Sequence, residues 1–264
     1  MLHMLSTNTH AMTVTRTAET LGIPLPTGYV EQIAEVDAFT AAVAQIAVTT
    51  DQLHEAVLDA IADGRDYHAD ETVQRLALDR SLTAQNISAH RAQTRADQMR
   101  RAALADWADE ILEDWADALG PHSAALVDAA ADANLSDLTD TAAAVAKGGD
   151  TMDKLHHAQV AVKAWTAAVN GFFSLASISS VGYNGDASVA IYTPARHSDL
   201  APAFALADKS RTDVDAWTLA RCGIPLDLAT LGDFMSRAAT FNADRETEAR
   251  AEKEQLKQRV ANSW

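Results

Sequence analysis

Three observations predict a mostly α fold, a helical bundle with one or more long helices and a small β-hairpin near residues 177–193. Alanine, the best helix former and a poor strand residue, fills about a fifth of the 264 positions, while aromatic residues make up only 6%. No Gly or Pro occurs between Asp70 and Leu119. Asn184-Gly185 lies between Ser177–Tyr183 and Ala187–Thr193, and that dipeptide is a strong hairpin-turn signal.

The elements follow in chain order. Residues 1–30 are expected to form an extended N-terminal segment, because Leu21-Gly22-Ile23-Pro24-Leu25-Pro26-Thr27-Gly28 cannot hold regular structure. A helix is predicted from about Glu31 to Val48, with Ile33, Val36, Phe39, Val43 and Ile46 at spacings of three and four. Thr50 or Asp51 can cap a second helix carrying Leu53, Val57, Leu58 and Ile61, and Gly64 is its natural stop. The stretch from Asp70 to Leu119, if continuous, would be about 75 Å long at 1.5 Å per residue. Such a helix either breaks near Arg91 to Arg101 or serves as a spine, and Gly120-Pro121 should end it.

Two shorter helices are expected at His122–Ala133 and Ser136–Lys147. After Gly148-Gly149, Thr151 can cap a long helix from Met152 to about Leu175. The alternation on the two sides of Asn184-Gly185 is imperfect, and one hairpin is marginal unless it lies on helices or on another strand. Pro194 to Pro202 reads as a loop, followed by helices at Thr212–Arg221, Asp227–Phe241 and Ala243–Val260. The last carries five acids and five bases from Asp244 to Arg259, acidic first and basic last, which suits the helix dipole. Leu256 and Val260 are its main apolar anchors, so it reads as a projecting or interface helix. Three segments result: 1–30 extended, 31–176 a helical bundle, and 177–264 the hairpin with the C-terminal helices.

Charge and composition narrow the function classes. A net charge of −16 argues against nucleic acid and anionic membranes as partners, because both need a positive field. One cysteine, Cys222, excludes an internal disulfide framework and a thiolate-rich zinc site. The apolar stretch Ala158–Val181 contains Lys163, Asn170 and four serines, so no membrane span is expected. No signal peptide is read at the N-terminus, and the expected location is cytoplasmic or within a virion. No glycine-rich phosphate loop, nucleophile elbow or His-Glu-x-x-His helix occurs, and no cofactor is expected.

The sharpest local feature is Asp106-Trp-Ala-Asp-Glu-Ile-Leu-Glu-Asp-Trp-Ala-Asp117. At 100° per residue, Asp106, Asp109, Glu110, Glu113, Asp114 and Asp117 share an arc of roughly 140°. Leu104, Trp107, Ile111, Leu112, Trp115 and Leu119 fall opposite. This predicts a solvated acidic face over a Trp-anchored core face; the competing reading of the same carboxylates is an array for Mg²⁺ or Ca²⁺, or for a basic partner. Arg91, Arg95, Arg100 and Arg101 form the one basic island, which staggered self-association could pair with those acids. Asp153, His156 and His157 are weak metal candidates, lacking a further donor nearby in sequence. Arg196-His197-Ser198-Asp199 cannot form a catalytic triad from adjacent positions.

These features favour a non-enzymatic structural or assembly protein acting through helix–helix contacts with protein partners, and expected to self-associate. Arginine exceeds lysine 15 to 6, and Ala and Asp are abundant, as in a high-GC genome. In overall character the chain resembles an assembly or virion protein of an actinobacterial phage, which would make it a phage virion or assembly component. Two alternatives compete: a metal-assisted hydrolase using helix carboxylates with His156 or His157, and an acidic helical adaptor that binds a basic partner.

Overall fold

The computed structural model describes residues 6–44, 48–84, 87–182 and 185–261. Helices follow in the order α1 (Thr7–Leu21), α2 (Thr27–Ala44), α3 (Thr50–Ala62), α4 (Glu71–Ala84), α5 (Ile87–Asp106), α6 (Ala108–Ala130), α7 (Thr141–Lys147) and α8 (Gly149–Ile178). Two short 3-10 segments, Gly185–Ile191 and His197–Leu200, precede α9 (Ala201–Ser210), α10 (Ala216–Arg221) and α11 (Leu231–Ala261). The chain is mostly helical, and no strand occurs among the described residues. It divides into two compact units, Met1–Pro26 with Ala105–Trp264, and Thr27–Leu104, rather than at residue 176.

The first unit is organised around α8, which packs on both α1 and α6. Small residues on α8 permit close approach: Ala158, Ala161, Ala168 and Gly171 are all buried. Gly171 marks the tightest point. A Cβ placed there would lie 2.3 Å from Trp115 Cζ3 and 3.0 Å from Thr17 Oγ1, so the α6 indole occupies the space of the missing side chain. Thr17 of α1 donates to the Ala167 carbonyl of α8 at 3.0 Å. The expected extended segment at 1–30 is therefore corrected. His10, Val14, Thr17 and Ala18 are buried at helical spacing on α1, and the irregular stretch is confined to residues 22–26. Ser6 caps this helix by accepting from the Thr9 N–H, and Gly22 closes it at φ 70°.

The 70–119 stretch is not one helix. It turns at Trp107 (φ −104°, ψ 4°), not between Arg91 and Arg101. Nor does Gly120-Pro121 end α6, which continues to Ala130. Pro121 lacks an N–H and crowds the preceding turn, but it lies on the solvent side. The buried residues Leu119, Leu126 and Ala129 continue the inward stripe of Ile111, Leu112 and Trp115 across it. Burial of that stripe outweighs the proline's cost of about 3 kcal/mol.

The hairpin near 177–193 is absent among the described residues. Asn184 lies outside them, but Ser177 and Ile178 still belong to α8, and 185–191 winds into a 3-10 segment. Its Ala187, Val189, Ala190 and Ile191 are all buried, a pattern that is not period-two and cannot serve a strand with one wet face. The carbonyls of Ile191 and Tyr192 instead accept from Ala229 at 3.0 Å and Asp227 at 2.7 Å. A second core forms here from Val189, Leu200, Ala203, Leu219, Ile224 and Phe241. The separate helices expected at 227–241 and 243–260 are one helix, α11, whose Phe234 and Phe241 are buried. Phe234 meets Phe172 of α8 edge-on at 5.2 Å. The side chains of Leu256 and Val260 lie outside the described set.

In the second unit, α2 and α5 run antiparallel. Arg100 of α5 pairs with Asp37 of α2 at 3.1 Å, and Thr40, Val43 and Ala44 face Ala92, Gln93 and Ala96. Next, α3 and α4 form a helical hairpin. Thr49, one residue earlier than expected, caps α3 in a capping box with Gln52. Gly64 at φ 68° stops α3 as predicted. Asp70 caps α4 by accepting from the Thr72 and Val73 N–H groups, and Arg65 pairs with Asp63 and Asp70 across the turn.

Replacing Gly171 by Ala should force the Trp115 ring or the α8 backbone to move. An overpacking cost of about 1–3 kcal/mol is expected, which lowers the melting temperature by about 2–4 °C per kcal/mol in a chain of this size. Thermal unfolding followed by circular dichroism measures it.

Candidate functional site

The 106–117 segment turns its carboxylates to solvent and its large apolar side chains inward. Asp106, Asp109, Glu110, Glu113, Asp114 and Asp117 are all exposed, while Leu104, Ile111, Leu112, Trp115 and Leu119 are buried. Trp107 departs from the pattern, because it sits at the turn between α5 and α6 and is only half-buried. The carboxylates do not converge on a point. Asp109 has a structural partner: its Oδ1 accepts the Leu231 N–H at 2.9 Å. That N–H is among the first of α11, where a helix has no internal acceptor to offer and where negative charge suits the dipole. Thr230 caps the same end by accepting from the Asp233 N–H at 3.1 Å.

The four arginines of the basic island differ in exposure. Arg91, Arg95 and Arg101 are exposed, but Arg100 is largely covered and pairs with Asp37 at 3.1 Å and Asp97 at 3.8 Å. Its charge is answered within its own unit.

Asp153, His156 and His157 lie exposed near the start of α8, with the two imidazole centroids 5.9 Å apart. Lys154 beside them is held by Asp128 at 3.5 Å and Asp150 at 3.6 Å, and these two carboxylates raise its pKa. Among the described residues no group of three or more His, Cys, Asp or Glu side chains is placed to hold a metal ion. The hydrolase reading therefore has no assembled donor set there.

His197, Ser198 and Asp199 do not form a catalytic array. His197 Nδ1 lies 2.6 Å from Glu248 Oε2 of α11, and its ring meets Phe241 edge-on at 5.0 Å. Ser198 turns to Asp199 at 3.3 Å. His197 thus ties the 3-10 segment to α11. Cys222 is half-buried, and burial pushes its thiol pKa up, away from the reactive thiolate form.

One concave feature was not anticipated. In the first unit a cavity of about 610 Å³ is lined by Phe173, Asp186, Tyr192, Phe204, Asp208 and Asp213, among others. Tyr192 stacks on Trp165 of α8 at 5.8 Å. Burial, reinforced by Asp215 and Asp213, pushes the Tyr192 phenol up to about 12. No local motif marks this cavity, because its lining is gathered from residues 173–214 by the packing of α8, α9 and the 3-10 segment. No helix among the described residues is long and apolar enough to cross a membrane. No protein-family model, curated protein or solved structure matches the chain.

Two outcomes follow from this geometry. Asp109→Ala should cost about 0.5–2 kcal/mol, as loss of a helix cap does, whereas neutralising Glu110, Glu113 and Asp114 together should leave stability unchanged or raise it. Thermal melts of the two variants separate the capping acid from the solvated ones. In a Tyr29→Phe background, which removes the other strongly shifted phenol, phenolate absorbance from Tyr192 should rise only near pH 12. The unfolded phenol ionises near its ordinary value of 10.0, so its contribution to stability is complete below that pH and lost as pH climbs through about 12.

Proposed function

We propose that this chain is a non-enzymatic structural or assembly protein that acts through helix–helix contacts and self-associates. The observation that carries the reading is a set of exposed aliphatic side chains on α3 and α4. Leu58 and Ile61 of α3 are 64% and 56% exposed, and Leu78 and Leu82 of α4 are 61% and 43% exposed. Both helices already bury other residues, Ala60 on α3 and Val73 on α4. Leu78 sits about 140° around α4 from Val73, so α4 is apolar on two sides. A helix with two apolar sides is suited to two neighbours. Full burial of one such side chain is worth about 1.5–3 kcal/mol, enough for a few of them to drive association.

The C-terminal half of α11 supports the same reading. From Ala249 its described side chains are exposed. Over the span from Asp244 to Arg259 acids come first and bases last, so two copies laid antiparallel bring Asp244 opposite Arg259 and Glu246 opposite Lys257. The composition suggests a phage particle as the setting for such assembly. A second reading is favoured by the α6 ridge. Glu110, Glu113, Asp114 and Asp117 of α6, with Asp106 just before it, make no ion pair among the described residues and suit a basic protein partner, as an adaptor would.

Gel filtration with light scattering at two protein concentrations tests the proposal. The native chain should show a multimer mass, and Leu58→Lys with Leu78→Lys should give a monomer with unchanged helical circular dichroism. A native chain that stays monomeric at high concentration would defeat the self-association reading and leave the adaptor as the better one.

A further inference from the structure

We propose that the cleft lined by Phe173, Asp186, Tyr192, Phe204, Asp208 and Asp213 seats an arginine side chain of a partner polypeptide. The inference does not depend on the α3–α4 surface, since every lining residue belongs to the first unit. Its first support is shape. At about 610 Å³ the cleft falls in the usual range for ligand sites, roughly 300–1,000 Å³, and exceeds one side chain enough to admit flanking backbone.

The second support is charge. Three carboxylates line the cleft, and no Lys or Arg does so among the described residues. The third is the aromatic set of Phe173, Tyr192 and Phe204, all half-buried. Aromatic faces beside carboxylates attract an organic cation through the ring quadrupole and the ion pair together. A planar, weakly hydrated guanidinium uses both better than an ammonium, because it can stack while its edges donate to carboxylates.

The rim already displays this chemistry. Arg245 Nη1 of α11 donates to Asp186 Oδ2 at 3.2 Å, so one of the three carboxylates binds an internal guanidinium. Asp208 and Asp213 are exposed and make no ion pair among the described residues. They mark the side from which a cation on another chain would enter. Tyr192, still protonated far above neutral pH, offers a phenolic donor to the carbonyl groups of that chain.

Isothermal titration of the full chain with acetyl-Arg-Arg-Arg-amide tests the assignment, with the citrulline and lysine tripeptides as comparisons. The arginine peptide should bind one to one. The isosteric but neutral citrulline peptide should bind at least tenfold more weakly, and the lysine peptide more weakly than the arginine one. Asp208→Asn with Asp213→Asn should weaken arginine binding at least tenfold, Arg245→Ala should strengthen it by freeing Asp186, and Glu31→Gln with Glu35→Gln should leave it unchanged. If the two double variants weaken binding equally, the attraction belongs to the net charge of −16 and the proposal fails. Equal binding of the citrulline or lysine peptide by the native chain also overturns it, and that comparison needs no variant to fold.

Discussion

The first unit depends on a missing side chain. Gly171 leaves room on α8 for the Trp115 indole of α6, and Thr17 of α1 reaches the same place to bond the Ala167 carbonyl. Three helices therefore meet where only glycine fits. Alanines at 158, 161, 164 and 168 extend that close approach along α8. A chain with few aromatics fills its interior by bringing backbones together and setting a small number of large rings between them, which preserves interior packing density without bulky side chains. Trp165 and Phe172 then carry the packing onward, to Tyr192 and Phe234.

The same arrangement explains what could be read in advance. The acidic and apolar sides of α6 were legible because they depend on local periodicity alone. So were Gly64 as a stop and the long helix beginning near Gly148-Gly149. The errors arose where tertiary burial overrode a local signal. Pro121 is tolerated because Leu119, Leu126 and Ala129 share one buried stripe on either side of it. Residues 185–191 take a tight helical turn because four apolar side chains are buried together, and the non-helical stretch at 227–229 supplies donors just after that turn. The threonine-rich α1 carried weak helix propensity, and its inward residues matter only once α8 is present. The cleft around Tyr192 was invisible for the same reason: its acids and rings are separated along the chain and belong to no motif.

The large acid surplus is not one signal but several. Some carboxylates close helix ends, as Asp70 does for α4, Asp109 for α11 and Asp215 for α10, where it accepts the Thr218 N–H at 2.8 Å. Others hold turns between helices. Asp132 accepts from the Asn134 N–H and from Thr151, and these bonds hold its carboxyl below the usual range. A third group is spent on arginine and lysine, including Asp37, Asp128, Asp186 and Asp227. Net charge alone would assign all of them to the surface field.

Many acids carry none of these roles, and two groups among them differ in setting. Glu110, Glu113, Asp114 and Asp117 stand on the exposed side of α6, with Asp106 just before its first turn, whereas Asp208 and Asp213 stand beside aromatic rings at a concave place. The distinction is physical. Carboxylates on an open helix face keep their water and attract cations only through a field that salt screens within about 8 Å. A cation placed beside carboxylates and aromatic rings together gains ring contact as well as charge. An open acidic ridge can attract a cation only through its field, whereas a walled acidic cleft can also hold one in contact.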